Sequence, residues 1–391
     1  MPQPPQTCEE LLARMIEFDT VVAYQSGREA PEKPLADYLA GLATEWGFRI
    51  RELPVDGAGP NLLIEHLVDE QAPWIMFDSH LDTVGTEGMS IPPFEPAIRD
   101  GRMYGRGACD TKGTGATMLW SLKQYAQSES QPNNIAVLLS VGEEHVQIGA
   151  RAFVDQHLAL LGWRPAAVVV GEPTRMNVLA ATGGFIRWKM TTLGKACHSS
   201  QPDRGHNAIY DMARLITMLE DDYIAKIEAT DPLVGRASAA GTVVSGGRQV
   251  NVIPSEATLT FDRRLVPGEI GETELTRVKE LVAELIARRP GMQVDHHHFE
   301  SAPPMAVVDG GAWSEAAVAA LASVGITSKI SGELFTTNGN HFAAAGIPTL
   351  VTGPGDIAQA HTVDEWIELE QIALGIKGYT ALMQAEVPIR D

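Results

Sequence analysis

Short apolar runs that stop abruptly at charged or histidine residues are the clearest pattern along this chain. Apolar runs of this length predict strands buried in a core. Each of the three clearest runs is followed within a few residues by side chains that can bind a metal ion or transfer a proton. They are residues 74–77 before His80 and Asp82, residues 135–141 before Glu143 and Glu144, and residues 166–171 before Glu172.

Helical patterns separate these runs. An amphipathic helix is predicted after Thr7, a second from Pro34 to Trp46, and a third after the glycine-rich residues 105–116. Strands that alternate with helices indicate an α/β fold, with a mostly parallel sheet flanked by helices. The carboxyl ends of parallel strands lie along one edge of such a sheet, where these folds bind ligands. We therefore expect the polar residues after the strands to meet there, together with Asp110 at the start of the third helix.

The pattern changes from about Thr182. An alternating strand is followed by an amphipathic helix from about His206 to Leu219, then by two strands about Pro254, a further helix and a further strand. That order predicts a smaller α+β unit of the ferredoxin-like type, inserted into the first domain. We assign residues 182–294 to this unit, and residues 1–181 and 295–391 to the catalytic domain.

Composition and charge exclude several classes of partner. The 391 residues include 50 acidic and 30 basic ones, and the formal net charge of -20 opposes binding to nucleic acid or to an anionic membrane. No apolar run reaches the ~20 residues that a membrane span needs, and the first residues lack the features of a signal peptide. We expect a cytoplasmic protein. Cys8, Cys109 and Cys197 are too few and too irregularly spaced for a disulfide framework.

Two histidines and four carboxylates form the candidate metal-binding set. This set of nitrogen and oxygen ligands, without thiolate, suits Zn²⁺, Co²⁺ or Mn²⁺ better than a soft metal. Two ions are the natural number, because a carboxylate such as Asp110 can bridge them and leave another carboxylate free to handle a proton. The set comprises His80, His361, Asp110, Glu143, Glu144 and Glu172.

Each motif also has an ordinary structural interpretation. A His-x-Asp pair can belong to a surface loop, Asp110 can cap a helix, and two successive acids can begin one. A phosphate-binding interpretation of residues 105–116 fails, because Lys112 precedes Gly113 instead of following the last glycine. The convergence of the motifs, more than any one of them, favours a metal site.

A series of motifs resembles, in the same order, those of the M20 family of metallopeptidases and deacylases. They are SHLDTV, GRGACDTKG, GEEH, GEPT, KACHSSQP, NVIP, FDRRLVPG and GPGDIAQAHTVDE. The resemblance covers nearly the whole chain. It implies hydrolysis of the amide of a small N-acyl amino acid or dipeptide at a pair of divalent metal ions, with zinc expected first and cobalt or manganese as alternatives.

The resemblance also implies how the ions are held. Asp110 and a water molecule bridge them, His80 and Glu172 bind one ion, and Glu144 and His361 bind the other. The inserted unit then serves as a lid and as the contact of a homodimer.

Further roles follow from the same resemblance. Asp82 orients the first ligand histidine, and Glu143 is the general base that deprotonates the bridging water and passes the proton to the leaving amine. His198 resembles a histidine that reaches across the dimer to the developing oxyanion. Asn251 and Arg264 match positions that bind substrate, with Arg264 pairing with an α-carboxylate.

The residues of the inserted unit keep their simpler interpretations at this point. His198 can be a polar residue at a strand end, Arg264 an ordinary surface ion-pair partner, and Asn251 a turn former. The three successive histidines 296–298 cannot converge on one ion from a strand, and we expect them to be exposed.

Two departures from the family pattern bear on the substrate. Asn338 stands where many relatives carry Asp, and residues 181–185, ATGGF, lack the paired arginines associated with succinyl-diaminopimelate desuccinylases. We therefore favour an acetylornithine deacetylase-like activity. The alternatives are desuccinylase, dipeptidase or carboxypeptidase action. A catalytically silent binding protein is disfavoured, because every candidate ligand and Glu143 are present.

Overall fold

Seventeen strands and eleven α-helices lie within residues 4–388, the part of the chain that the computed structural model describes. The strands are β1 Arg49–Leu53, β2 Asn61–His66, β3 Trp74–His80, β4 Ala97–Arg99, β5 Arg102–Tyr104, β6 Asn134–Ser140, β7 Pro165–Val170, β8 Val178–Thr182, β9 Gly184–Leu193, β10 Thr230–Asp231, β11 Gly235–Arg236, β12 Ser238–Gly246, β13 Glu256–Leu265, β14 Gln293–Ala302, β15 Ile330–Glu333, β16 Thr349–Val351 and β17 Trp366–Glu368.

The α-helices connect these strands, and short 3-10 or π-helical turns extend some of them. The helices are α1 Cys8–Ile16, α2 Ala23–Ser26, α3 Lys33–Glu45, α4 Lys112–Tyr125, α5 Glu143–Val146, α6 Ile148–Ala152, α7 Ala208–Met218, α8 Gly271–Ala287, α9 Ala312–Ser323, α10 Gly339–Ala344 and α11 Leu369–Met383. The short turns are Phe153–His157, Leu158–Leu160, Pro202–Arg204, Leu219–Tyr223, Ile224–Lys226 and Ile357–Gln359.

The described residues form two compact units. The first comprises the chain up to Ala181, Ala306–Ser331 and the residues from Thr337 onward. The second comprises Thr182–Met305 and Gly332–Thr336.

An eight-stranded mixed sheet organises the first unit, in the order β1-β2-β6-β3-β7-β16-β8-β15. The central strands β6, β3, β7 and β16 are parallel, and antiparallel pairs flank them. Every residue of β6 is buried, and so is every residue of β3 after Trp74, because both faces of a central parallel strand are covered. Helices α1, α4, α9 and α11 share one apolar core with this sheet. The predicted α/β class is confirmed.

The first predicted helix shows how local sequence sets an element. Thr7 precedes α1 and its side chain accepts a hydrogen bond from the backbone N–H of Glu10, which satisfies one of the free donors at a helix start. The apolar stripe Leu11, Leu12 and Met15 is buried. Capping and burial together explain why this segment is helical.

The second unit contains a four-stranded antiparallel sheet in the order β12-β13-β9-β14. Its elements follow one another as β9, α7, β12, β13, α8 and β14, and β9 pairs with both β13 and β14. This is the ferredoxin-like arrangement. β14 pairs with β9 along its length, so this unit continues past the predicted boundary at residue 294, to Met305.

The three histidines 296–298 all lie on β14. His297 and His298 are exposed, whereas His296 is half-buried, and burial lowers its pKa. The expectation of three exposed side chains was therefore wrong for His296, because this part of its face of β14 is partly covered, and Val294 on the same face is half-buried as well.

No helix within residues 4–388 combines the length and apolar character that crossing a bilayer requires.

Candidate metal centre

The candidate metal centre lies at the carboxyl ends of neighbouring parallel strands. β3 ends at His80, which is paired in register with Ser140, the last residue of β6. Beyond β6 the chain turns at Gly142, which has φ 65°, and Glu143 follows at once. β7 runs beside β3 and ends just before Gly171 and Glu172. The sheet thus brings these polar residues to one edge.

Two groups of side chains are close enough to hold one ion each, since the ligand atoms within each group lie within 4.8 Å of one another. Asp110 belongs to both groups, so its two carboxylate oxygens are placed to bridge a pair of ions. The groups are His80, Asp110 and Glu172, and Asp110, Glu144 and His361.

Asp110 lies between the two histidines. Its Oδ1 is 3.1 Å from Nε2 of His80, and its Oδ2 is 3.3 Å from Nε2 of His361. Burial works to raise the pKa of Asp110, but hydrogen bonds to the two rings outweigh it and the pKa is lowered. The lowered pKa favours the charged carboxylate, which is the form that binds a metal ion.

His361 is held by two carboxylates. Its Nε2 is 3.0 Å from Oε1 of Glu144, besides its contact with Asp110. Hydrogen bonds to Asp110 and then to Glu144 raise the pKa of His361 to about 10. The residue has φ 59°, and 55% of its side chain is exposed, in contrast to the 1% of His80. His361 is thus the most solvent-exposed member of the set.

His80 is surrounded by acceptors. Its Nδ1 lies 2.9 Å from the backbone carbonyl oxygen of Asp82 and 3.5 Å from the Oδ1 of the same residue. Burial works to lower the pKa of His80, but the hydrogen bonds to Asp110 and Asp82 raise it well above its usual value. The carbonyl contact fixes the orientation of the ring and leaves Nε2 directed at Asp110.

The carboxylate of Asp82 also accepts hydrogen bonds that its position in the sequence does not predict. Its Oδ1 accepts from the backbone N–H of Glu143 at 3.1 Å, and its Oδ2 accepts from that of Glu144 at 3.0 Å. Asp82 therefore caps the first turn of α5, which carries both glutamates. The ring of His80 is oriented more closely by the backbone of Asp82 than by its side chain.

Glu143 lies beside the two ligand groups without belonging to either. Its Oε1 accepts a hydrogen bond from Nε2 of Gln147 at 3.2 Å. Burial, opposed in part by His80 and reinforced by the neighbouring carboxylates, raises the pKa of Glu143 to about 8. A partly buried carboxylate with a raised pKa, outside both candidate ligand groups, suits a proton-transfer role.

The carboxylates of this centre fit a pair of divalent cations. Burial is the largest cause that raises the pKa values of Glu143, Glu144 and Glu172, and the charge of nearby Asp110 adds to it in each case. A cation between such groups would remove both penalties, because it favours their charged forms. The imidazole and carboxylate donors are those that Zn²⁺, Co²⁺ and Mn²⁺ accept.

Two buried contacts beside the centre were not foreseen from the sequence. Asn338 donates from Nδ2 to Asp78 Oδ2 at 2.9 Å and to Ser140 Oγ at 2.8 Å, so the amide ties α10 to the ends of β3 and β6. Glu365 accepts backbone hydrogen bonds from the loop that carries Asp110. The available signals were the Asp-to-Asn departure at residue 338 and the position of Glu365 inside a family motif.

The remaining predicted site residues lie in the second unit. His198 is exposed, and its Nδ1 is 2.8 Å from Ser200 Oγ. Asn251 is exposed too, and its carbonyl accepts from the backbone N–H of Ser199 at 2.9 Å. These contacts place His198 and Asn251 in adjacent segments. An isolated β-bridge between His198 and Val252 joins the same two segments.

Arg264 projects from β13 into a network of charges. Its Nε donates to Asp262 Oδ1 at 2.7 Å, and Arg187 donates to Asp262 Oδ2 at 2.8 Å. The side chain of Arg264 is 35% exposed. One edge of its guanidinium is therefore engaged, and its terminal nitrogens are the groups with which it can meet a substrate carboxylate.

Residues 76–385 match the model of peptidase family M20/M25/M40. The chain is 26% identical to a probable succinyl-diaminopimelate desuccinylase of Staphylococcus epidermidis, over 90% of this chain and 93% of the relative. It is 27% identical to an acetylornithine deacetylase of Pasteurella multocida, over 93% of this chain and 94% of that protein.

The fold is also similar to that of solved structures. An M20 family metallo-carboxypeptidase from Sulfolobus solfataricus superposes with a TM-score of 0.80 over 97% of this chain and 99% of that chain, at 17% sequence identity. At this identity the likeness shows a shared fold.

Proposed function

The chain belongs to peptidase family M20/M25/M40 and is a metal-dependent amide hydrolase, and from this premise we propose that it removes the acyl group from an N-acyl amino acid. The observation that carries the proposal is the position of Asp110 between two ligand groups, with the buried Glu143 beside both of them. That arrangement supplies two ion sites and one free proton acceptor.

We propose that His80, Asp110 and Glu172 hold one ion and that Asp110, Glu144 and His361 hold the other. When bound, two such ions would polarise the scissile carbonyl and lower the pKa of the attacking water. Zinc is the ion that we expect first, with cobalt or manganese as alternatives.

Glu143 is the group that moves the proton. It accepts the proton of the attacking water and delivers it to the nitrogen of the leaving amine, as a buried carboxylate with a raised pKa can do. Cationic charge beside Glu143 would lower its pKa from about 8, so that the residue would be deprotonated near neutral pH. Its backbone N–H is fixed by Asp82 at 3.1 Å, which limits the movement of its side chain.

Three residues of the second unit complete the proposal. Arg264 binds the α-carboxylate of the substrate through the nitrogens that Asp262 leaves free, and Asn251 contributes an amide contact. His198 stabilises the oxyanion of the tetrahedral intermediate, and it does so in the site of a partner subunit.

A homodimer formed through the second unit accounts for that arrangement. β12 is one of the two edge strands of the four-stranded sheet, and nearly all of its residues are exposed, including Val243 and Val244. It contains neither charged residues nor proline, the features that usually protect an edge strand from pairing. We therefore propose that a second copy of this chain pairs along β12.

The dimer is tested by light scattering on a variant with lysine at both Val243 and Val244. We expect this variant to be monomeric, because two charges on an edge strand oppose pairing. Val324→Lys is the matched control, since Val324 is an exposed valine of the first unit. A dimeric double variant would refute pairing along β12.

The acyl group that we propose is acetyl. A succinyl group would bring a second carboxylate that needs a cationic partner, and residues 181–185 carry no arginine. The relatives include both a deacetylase and a probable desuccinylase, so a direct comparison of substrates is required.

The experiment is a panel of substrates assayed after removal of metal and reloading with Zn²⁺, Co²⁺ or Mn²⁺. We expect kcat/KM to fall from N-acetyl-ornithine to N-succinyl-diaminopimelate to a dipeptide, with at least about a hundredfold range between the extremes. If the dipeptide were cleaved fastest, the activity would be that of a peptidase and not of a deacylase. If no amide were hydrolysed, the proposal would be refuted.

A further inference from the structure

Glu365 is a buried carboxylate that the proposed mechanism does not use. Its side chain is 1% exposed. Oε1 accepts from the backbone N–H of Cys109 at 2.7 Å and of Asp110 at 2.9 Å. Oε2 accepts from the backbone N–H of Gly107 at 2.9 Å and from Nη1 of Arg106 at 2.8 Å. A single carboxylate thus accepts hydrogen bonds from four of the five residues 106–110, all but Ala108.

The loop is shaped around this carboxylate. Gly107 has φ 83°, and a Cβ added there would lie 2.9 Å from both Thr83 Cγ2 and Lys112 Cδ. The left-handed backbone turns successive N–H groups toward one point, where they form a concave site for an anion. Glu365 occupies that site, and its contacts end at Asp110.

The segment that contains Glu365 also carries His361, four residues earlier. The two segments run together, since β17 pairs with β5 and the backbone N–H of Gly105 donates to the carbonyl of Glu365 at 3.1 Å. Glu365 therefore joins the loop of the proposed bridging ligand to the segment of the most exposed ligand.

The proposed ligands differ in how the chain supports them. His80 is the last residue of β3, and Glu144 is held through its backbone N–H by Asp82. Asp110 and His361 lie outside regular helices and strands. The two side chains contact each other at 3.3 Å. The four hydrogen bonds accepted by the side chain of Glu365 hold together the two segments that carry them.

We propose that Glu365 is a positioning residue that sets the spacing of Asp110 and His361, so that the ion shared by Asp110, Glu144 and His361 depends on it more than the other ion does. This inference rests on the two-ion centre proposed above. Supporting hydrogen bonds of this kind typically change metal affinity by about 10- to 100-fold.

Glu365→Gln is the variant that tests it. The Gln amide offers one acceptor oxygen, and its NH₂ group would face two of the four donors, so half of the contacts are lost. Glu368→Gln is the matched control, because Glu368 is a partly exposed glutamate three residues later whose ion pair with Arg102 spans 3.9 Å.

The measurement is a titration of metal-free, full-length protein with Co²⁺ alone, followed by visible absorbance and by calorimetry. We expect two ions in the wild type and in Glu368→Gln. In Glu365→Gln we expect one ion with affinity changed by less than about threefold and a second ion weakened by about 10- to 100-fold.

The outcomes separate this inference from the proposed function. Fewer than two ions in the wild type would refute the two-ion centre itself. Two ions in the wild type with unchanged binding in Glu365→Gln would refute the inference alone, and so would an equal loss of both ions.

A second variant covers the case in which Glu365→Gln does not fold. Arg106→Gln removes one donor and leaves the three backbone contacts of Glu365 intact. We expect a smaller, selective weakening of the same ion, by about three- to tenfold. Unchanged binding of both ions, or an equal change in both, would overturn the inference.

Discussion

The two units present their candidate residues in opposite ways. In the first unit the carboxylates of Glu143, Glu144 and Glu172 lie near one another, and burial together with the charge of Asp110 raises their pKa values. In the second unit Arg264 pairs with Asp262, and His198 is exposed beside Ser200. The first arrangement favours a bound cation, which would lower these pKa values, whereas the side chains of the second already have local partners.

The largest expected effect concerns Glu143, the proposed proton carrier of the first unit. Glu143→Gln should lower kcat by about 10³- to 10⁴-fold, because the amide cannot accept the proton, while two ions remain bound. Metal content and kcat are measured on the same sample. Turnover near that of the wild type would remove Glu143 from its role and would weaken the contrast between the units.

A second prediction concerns stability without metal. The folded-state pKa of Glu143 is about 8, above its ordinary value of 4.5. The contribution of Glu143 to the free energy of unfolding is complete below pH ~4.5, where both states hold the proton. It is lost as the pH rises through ~8, because the unfolded state releases this proton at a lower pH than the folded state does. Gln at this position does not titrate. The free energy of unfolding of Glu143→Gln, relative to that of the wild type, should therefore increase by on the order of 4 kcal/mol across this pH window.

Chemical denaturation of metal-free protein at several pH values measures this difference. Saturating Zn²⁺ is the control, since bound cations would stabilise the ionised carboxylate and suppress the pH dependence. A difference that stays constant with pH in the metal-free state would contradict the electrostatic account of the first unit.

The third prediction tests whether the second unit acts in a neighbouring site. His198→Ala should lower kcat by about 10²- to 10³-fold through loss of oxyanion stabilisation. Mixing it with inactive Glu143→Gln should restore part of the activity, because hybrid dimers contain one site with both residues intact. Demonstrated subunit exchange without recovery would show that His198 serves its own subunit or none.

The smallest effect is expected at Arg264. Arg264→Gln should raise KM by about tenfold with little change in kcat, because a carboxylate contact contributes to ground-state and transition-state binding alike. Arg288→Gln is the matched control, as an exposed arginine of the same unit that pairs with Glu284 at 3.3 Å. Equal KM values for the two variants would leave Arg264 as an ordinary ion-pair partner.

Much of the first unit could be predicted because its signals are local. Apolar runs that end at His80, Glu143 and Glu172 specify both buried strands and the edge at which they finish. The ferredoxin-like order of the second unit could likewise be predicted from its alternating elements. The C-terminal boundary of the second unit could not be predicted, because only the pairing of β14 with β9 shows that all of β14 belongs to this unit.

The supporting contacts could not be predicted, because they join distant parts of the chain. Glu365 and Asp110 are 255 positions apart, and Asn338 and Asp78 are 260 apart. Asp82 illustrates a subtler limit. Its place beside His80 suggested a partner for the ring, but its carboxylate also accepts from two backbone N–H groups beyond β6. Such roles depend on which loops meet at the sheet edge, and no local pattern encodes that.

Anomalous diffraction from crystals grown with Zn²⁺, recorded on both sides of the zinc absorption edge, is the decisive test of the two-ion centre. The account predicts two peaks about 3.5 to 4 Å apart with Asp110 between them, one beside His80 and Glu172 and the other beside Glu144 and His361. A single peak, or peaks outside these two groups of side chains, would contradict it.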